Sequence, residues 1–186
     1  MATYLTDERF RNQDFTPTAT EYDGCSFVTC RLAGADLTGI RFLDCTFQDC
    51  DLSNATLTGA SFQNVHFASC KLLGLSFDAG DPLAFAVTFA DCRLQHASFH
   101  KMKLTRCAFT GCDLTEADFT AADLTGSTLV DCDLARATFE NTDLRKADLR
   151  EARHYRIDPT RNRVRGTRFS LPAAVGLLET FGVRID

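Results

Sequence analysis

The sequence predicts an all-β fold, a quadrilateral parallel β-helix ended by a short C-terminal helix. Three observations predict it. Leu or Phe recurs every five residues, the position two places before is mainly a small residue, and Leu and Phe segregate with a period of 20. A five-residue period fits neither an α-helix nor an alternating strand. It needs a chain that turns a corner at every repeat.

The run starts at Phe27 and steps by five through Leu32, Leu37, Phe42, Phe47, Leu52, Leu57, Phe62, Phe67, Leu72 and Phe77. It slips by two residues near Asp81-Pro82-Leu83 and resumes at Phe89, continuing without a miss to Leu149. The positions two residues earlier include Cys25, Ala35, Cys50, Ala60, Cys92, Ala117 and Ala147, and all nine cysteines of the chain fall in this register. Small semi-apolar side chains suit a narrow interior. Taking every fourth repeat gives Phe27, Phe47, Phe67, Phe89, Phe109 in one set and Leu32, Leu52, Leu72, Leu94, Leu114, Leu134 in the next. Like stacks on like, so one coil has four faces. The segregation survives the slip, so its extra residues bulge at a corner. A second two-residue slip is expected between Phe15 and Tyr22, at the same corner. Phe85 lies outside the frame. With strands about 4.8 Å apart, the repeats make about six to seven coils, a rod roughly 30–35 Å long.

The pattern divides the chain into an N-terminal cap with irregular first repeats (1–21), the β-helix (22–152), and a C-terminal loop and helix (153–186). The frame decays at His154, and Pro159 and Gly166 mark a loop, with a last strand expected near Phe169. Ser170 can cap a helix, Pro172 is tolerated in its first turn, and Gly182 can stop it. Leu171, Ala174, Val175, Leu178 and Phe181 then form one apolar stripe, with Leu177 off it. The bare end of a solenoid needs a cover, which the stripe can supply. Leu177 would be left for a second contact.

Chemistry is sparse. Cysteine pairs are spaced Cys-x4-Cys, as in Cys25/Cys30 and Cys107/Cys112, unlike the Cys-x2-Cys of zinc ribbons. The thiols are expected to be free, because in-register neighbours lie about 4.8 Å apart with parallel side chains, whereas a disulfide needs converging Cβ atoms near 3.8 Å. His66, His96, His100 and His154 share no single face and coil. No Gly-x-Ser-x-Gly elbow or Gly-rich phosphate loop occurs. A filled, flat-sided rod has no deep pocket to exclude water. No catalytic, cofactor or metal residue is expected, and the protein is read as not an enzyme. The start of the chain lacks signal-peptide character and no apolar run reaches membrane-spanning length. A cytoplasmic protein with reduced thiols and no membrane contact is the expectation. A formal net charge of −5 argues against direct nucleic-acid binding.

Repeats such as Ala117-Asp118-Phe119-Thr120-Ala121, Ala122-Asp123-Leu124-Thr125-Gly126 and Ala147-Asp148-Leu149-Arg150-Glu151 resemble the pentapeptide-repeat family. The resemblance implies a right-handed quadrilateral β-helix, in keeping with the handedness of parallel crossovers. The layout, a rod ending in a helical segment, is similar to the quinolone-resistance (Qnr-like) branch. Members of that branch resemble B-DNA in width and charge, bind DNA gyrase or topoisomerase IV, and pair through this end. The resemblance thus implies a homodimer through Leu171, Val175, Leu177, Leu178 and Phe181.

Charge is the one informative surface feature. Residues 110–149 carry nine acids against Arg136, Arg145 and Lys146, and a basic segment follows. A partner-binding acidic face is expected from Asp113, Glu116, Asp118, Asp123, Asp133, Asp143 and Asp148. Its density approaches the one charge per about 1.7 Å of duplex DNA only locally, so any mimicry is partial. The alternative is a scaffold with an unrelated protein partner.

Overall fold

The computed structural model describes residues 3–179 and 181–182. Its strands are β1 (Tyr4–Thr6), β2 (Arg9–Arg11), β3 (Glu21–Asp23), β4 (Ser26–Val28), β5 (Arg41–Leu43), β6 (Thr46–Gln48), β7 (Ser61–Ala68), β8 (Phe85–Ala90), β9 (Ala108–Thr110), β10 (Thr128–Val130), β11 (Asp148–Leu149) and β12 (Arg168–Phe169). Each pairing is parallel, as in a coil laid upon a coil. The remaining faces are held by isolated parallel bridges, such as Arg93↔Asp113↔Asp133↔Arg153.

Four columns of central side chains fill the rod. The first face stacks Phe10, Phe27, Phe47, Phe67, Phe89, Phe109, Leu129, Leu149 and Phe169. That is eight steps, or roughly 38 Å of rise at the usual strand spacing. The second face holds Leu32 through Leu134, the third Leu37, Leu57, Phe77, Phe99, Phe119 and Phe139. The fourth begins Leu5, Tyr22, Phe42, Phe62. Rings within a column lie nearly parallel, with centroids 4.4 Å apart for Phe27/Phe47 and 4.9 Å for Phe47/Phe67. Rings of adjacent columns meet edge to face, as Phe99 does with Phe109 at 5.6 Å. Offset stacks and edge contacts are the arrangements aromatic quadrupoles favour.

The corner chemistry explains the period of five. The residue two after each centre commonly has positive φ, as at Asp44, Asp49, Asn54, Ser69, Asp91 and Glu116. Asn and Asp tolerate this conformation best among residues with a side chain. Glycine fills other such corners, and at Gly74 (φ 63°) a Cβ would also lie 2.6 Å from the Asn54 side-chain oxygen. The residue before many centres is Asp, and its carboxylate accepts the amide two residues on. Asp113 holds the Thr115 amide at 3.0 Å and Asp118 holds that of Thr120 at 2.8 Å. The recurrent Ala-Asp-Leu/Phe is thus a turn device.

The cysteines answer a second corner problem. After Leu centres the amide three residues on usually bonds back to the central carbonyl, as Ala35 N does to Leu32 O at 3.0 Å. Among the described residues, no such bond closes the corners after Tyr22, Phe27, Phe47 and Phe67. The thiol one coil further on supplies the missing donor. Cys45 donates to the Tyr22 carbonyl at 3.3 Å, Cys50 to that of Phe27 at 3.4 Å and Cys70 to that of Phe47 at 3.4 Å. Ser127 and Thr142 donate to the Leu104 and Phe119 carbonyls as second donors, since those carbonyls already accept the Cys107 and Ala122 amides. A buried carbonyl left unpaired costs free energy, so these positions want a small side chain with a donor.

Two irregularities depart from the sequence reading. Phe15 stacks on Leu32 and Phe10 on Phe27, each 17 residues apart. The first coil is therefore three residues short, and the expected two-residue insertion between Phe15 and Tyr22 is incorrect. The chain cuts across the third face at Thr16–Thr20. The Tyr22 hydroxyl pins this shortcut by accepting the Thr18 and Ala19 amides at 2.9 and 3.1 Å. At the other slip Leu83 stands out in solvent, but Phe85 does not leave the rod. It pairs with Phe62 on the fourth face, half-buried, and a register shift between Gln63 and Val65 restores the frame at Val87.

Coil pairing reaches beyond residues 22–152 at both ends. β1 and β2 build the first coil, and a further coil follows β11, with Arg153 and Arg163 bridging Asp133 and Asp143 and β12 pairing with β11. Tyr155 and Ile157 are buried there. Helix α1 (Leu171–Glu179) follows at once. Leu177 packs against the core, whereas Leu171, Val175, Leu178 and Phe181 are exposed, Leu171 at 88%. This reverses the expected roles: the off-stripe leucine faces the rod, and the stripe faces away from it.

Candidate partner-binding surface

The seven acidic residues expected to form one face are spread around the rod. Asp113 and Asp133 begin rungs of the second face, and Glu116 stands at the corner after it. Asp118 lies on the third face, Asp123 and Asp143 on the fourth, and Asp148 on the first. Proximity in sequence misleads here, because 20 residues carry the chain once around all four faces.

Most of these carboxylates are engaged. Asp143 takes a two-pronged contact from Arg145, at 2.8 and 2.6 Å, and faces Arg163 at 3.4 Å. The Arg145 hydrogen bonds, set against a smaller cost of burial, hold its carboxyl down at about 2. Asp148 repeats the arrangement with Arg150 and Arg168. Its carboxyl also lies below the usual range, chiefly through Arg150. Burial works against the charge on Asp133, but His154 at 3.0 Å, the Ala135 amide and Arg153 outweigh it. Glu116 is met by Arg136 at 2.7 Å and His96 at 3.1 Å. Asp113, Asp118 and Asp123 spend one oxygen each on a turn amide. The basic segment after residue 149 adds a further coil to the rod. It folds up beside the acids of the coil below and neutralises several.

A mixed strip in which acids outnumber bases lies where the first face turns into the second, with Asp131 meeting Arg153 at 3.2 Å and Asp51 meeting Lys71 at 3.9 Å. Asp49, Asp91, Asp131 and Glu151 occupy its positive-φ corner positions. Asp51, Asp113 and Asp133 stand two residues beyond that corner, interspersed with Arg31, Lys71, Arg93 and Arg153. Sequence reading missed this strip because its members sit a whole coil or two apart. The signal lies at the period of 20, at the corner positions as well as at the buried ones.

All nine cysteines are free, and eight are at most 1% exposed. Burial pushes the Cys45 and Cys107 thiols up to about 12. Among the described residues, no group of three or more His, Cys, Asp or Glu could hold a metal ion. No helix among them is long and apolar enough to cross a membrane.

Comparison with known proteins bears on this architecture. Two solved structures of trypsin-treated variants of QnrB1, a plasmid-mediated fluoroquinolone resistance protein, are similar to the chain. Both superpose over 100% of it with a TM-score of 0.64, at 21% and 20% identity, covering 98% and 100% of those chains. At that identity the likeness concerns the fold. No curated protein sequence matches. The family model for the pentapeptide repeat region matches residues 20–99 and 102–172. Those spans take in most of the coils whose columns and corners are described above, and the chain belongs to the pentapeptide repeat family.

Proposed function

We propose that the protein is non-catalytic and acts by binding another protein, and that this partner is a type II topoisomerase, DNA gyrase or topoisomerase IV. On it the rod acts as a partial DNA mimic that alters quinolone susceptibility. The observation that carries the reading is the end-to-end superposition on a fluoroquinolone resistance protein. The strip from Asp49 to Glu151 is the surface best suited to a site built for phosphates. The test is a gyrase supercoiling assay, with and without a quinolone, titrated with this protein. Inhibition or protection at micromolar protein is expected, and it should weaken when Asp91 and Asp131 are changed to Lys. A flat response would remove the reading. The neutralised carboxylates at Glu116, Asp143 and Asp148 favour the second reading, a scaffold for an unrelated protein partner.

The homodimer is part of this proposal. Leu171, Val175, Leu178 and Phe181 present apolar surface that the chain's own rod does not cover, and twofold pairs are the commonest oligomers. Light scattering should report a dimer for the intact chain. Leu178→Glu together with Phe181→Glu should give a monomer of nearly unchanged melting temperature, because Leu177 still packs on the core. A monomeric intact protein would end the dimer proposal.

A further inference from the structure

The fourth face is not continuous. Its bridges run from Glu21 through Arg41 to Ser61, and again from Lys103 through Asp123 and Asp143 to Arg163. Between these runs stand only Phe85 and Ala86, which pair with Phe62 and Gln63 but, among the described residues, make no bridge to Lys103. The cause is the two-residue slip. It sets Phe85 one place out of frame, so the coil above cannot seat on it in register.

The break leaves a cavity of about 220 Å³ whose lining includes Asn64, His66, Phe85, Thr88, Lys103 and Arg106. Its polar character is basic. Asp123, Asp143 and Arg163 each donate their amide to a carbonyl of the coil below, at 2.9, 2.9 and 3.0 Å. The equivalent amide of Lys103 has no backbone acceptor among the described residues. Thr125 and Arg145 give their amides to the aspartate two residues before. Thr105, at the same place one and two coils earlier, has Lys103 there instead and so lacks that acceptor. Neither Lys103 nor Arg106 forms an ion pair among the described residues. Asp123, next to Lys103 in the column, gives one oxygen to the Thr125 amide and lies outside the cavity lining. His66 and Thr88 bond one another at 2.6 Å along one wall.

Two cations and two unspent amides beside one small cavity make an anion site. We propose that this groove binds a compact phosphate-bearing small molecule, with Lys103 and Arg106 neutralising it and the Lys103 amide orienting it. Phe85 supplies the apolar wall. The cavity is smaller than the roughly 300–1,000 Å³ that drug-sized ligands fill, which favours a single phosphate group over a nucleotide. This proposal is independent of the topoisomerase reading, because it concerns a different face and a different class of ligand.

The test is amide chemical-shift titration of the whole protein with inorganic phosphate and, in a parallel arm, with glycerol 3-phosphate. Saturable shifts centred on Lys103, Thr105 and Arg106 are expected in the arm that matches the natural source, weakening as chloride is raised. Stronger binding of glycerol 3-phosphate would assign a phosphate monoester, and equal binding the free anion. Lys103→Gln and Arg106→Gln should each weaken the affinity roughly tenfold while leaving the melting temperature close to that of the parent. Both side chains are exposed, so misfolding is not expected to obscure the result. Absence of saturation at millimolar phosphate in both arms would overturn the proposal. So would unchanged affinity in both variants.

Discussion

Replacing Phe67 by Ala is expected to cost about 3–5 kcal/mol, the range for truncating a buried aromatic. For a chain of this size that lowers the melting temperature by on the order of 10 °C. Phe67 is 1% exposed and sits mid-column, with Phe47 at 4.9 Å on one side and Phe89 at 5.6 Å on the other. Neighbouring coils are tied by hydrogen bonds on four faces, so they cannot close around the cavity. The comparison is Phe85→Ala. Phe85 is half-buried and meets Phe77 and Phe62 only edge to face, at 5.6 and 6.4 Å. It should cost roughly half as much. Thermal denaturation of the two variants side by side decides the matter. Equal losses would mean that the rung at the slip is packed as tightly as the regular ones, contrary to the break on the fourth face.

The central columns were legible because a buried position has one requirement, apolar bulk, and it recurs without exception from Phe27 to Phe77. The first coil was not. Seven residues separate Phe15 from Tyr22, and seven is both five plus two and ten minus three. A period of five cannot tell an insertion on one face from a deletion spread over two. Only the coil-to-coil pairing of Phe10 with Phe27 decides it. Surface positions were harder still. Asp143 and Asp148 look like free acids in sequence, yet Arg163 and Arg168, a full coil later, come to rest beside them. In α1 a period says which residues share a face and not where that face points, and Phe181 of the expected stripe lies beyond the helix. Leu177 was decided by packing against the last coil.

The same burial that conceals the thiols makes the fold sensitive to alkali. In the native protein a thiol reagent should label the cysteines at least about a thousandfold more slowly than in denaturant, because reaction must wait for local opening. Cys107, 7% exposed at the edge of the fourth-face cavity, should react first. Cys45 and Cys107 are raised from 9.0 to about 12 by burial. A group whose folded value is raised contributes stability that is fully present below its unfolded value and is lost as pH climbs to the folded one. The window here runs from about 9 to about 12. Within it the unfolded chain has lost the proton and the folded chain has kept it, so each thiol removes about 1.4 kcal/mol of stability per pH unit. Two such thiols over three units approach the whole stability of a typical domain, about 5–15 kcal/mol. Cooperative unfolding is therefore expected before pH 12, with Tyr155, also raised to about 12 by burial, adding to it. The check is urea denaturation at pH 8, 9, 10 and 11 for the parent and for Cys45→Ala with Cys107→Ala. The double variant should be less stable at pH 8, having lost the Cys45 bond to the Tyr22 carbonyl, yet lose stability with pH more gently by about 2.7 kcal/mol per unit. Parallel slopes for the two proteins would show that these thiols do not govern the alkaline limit.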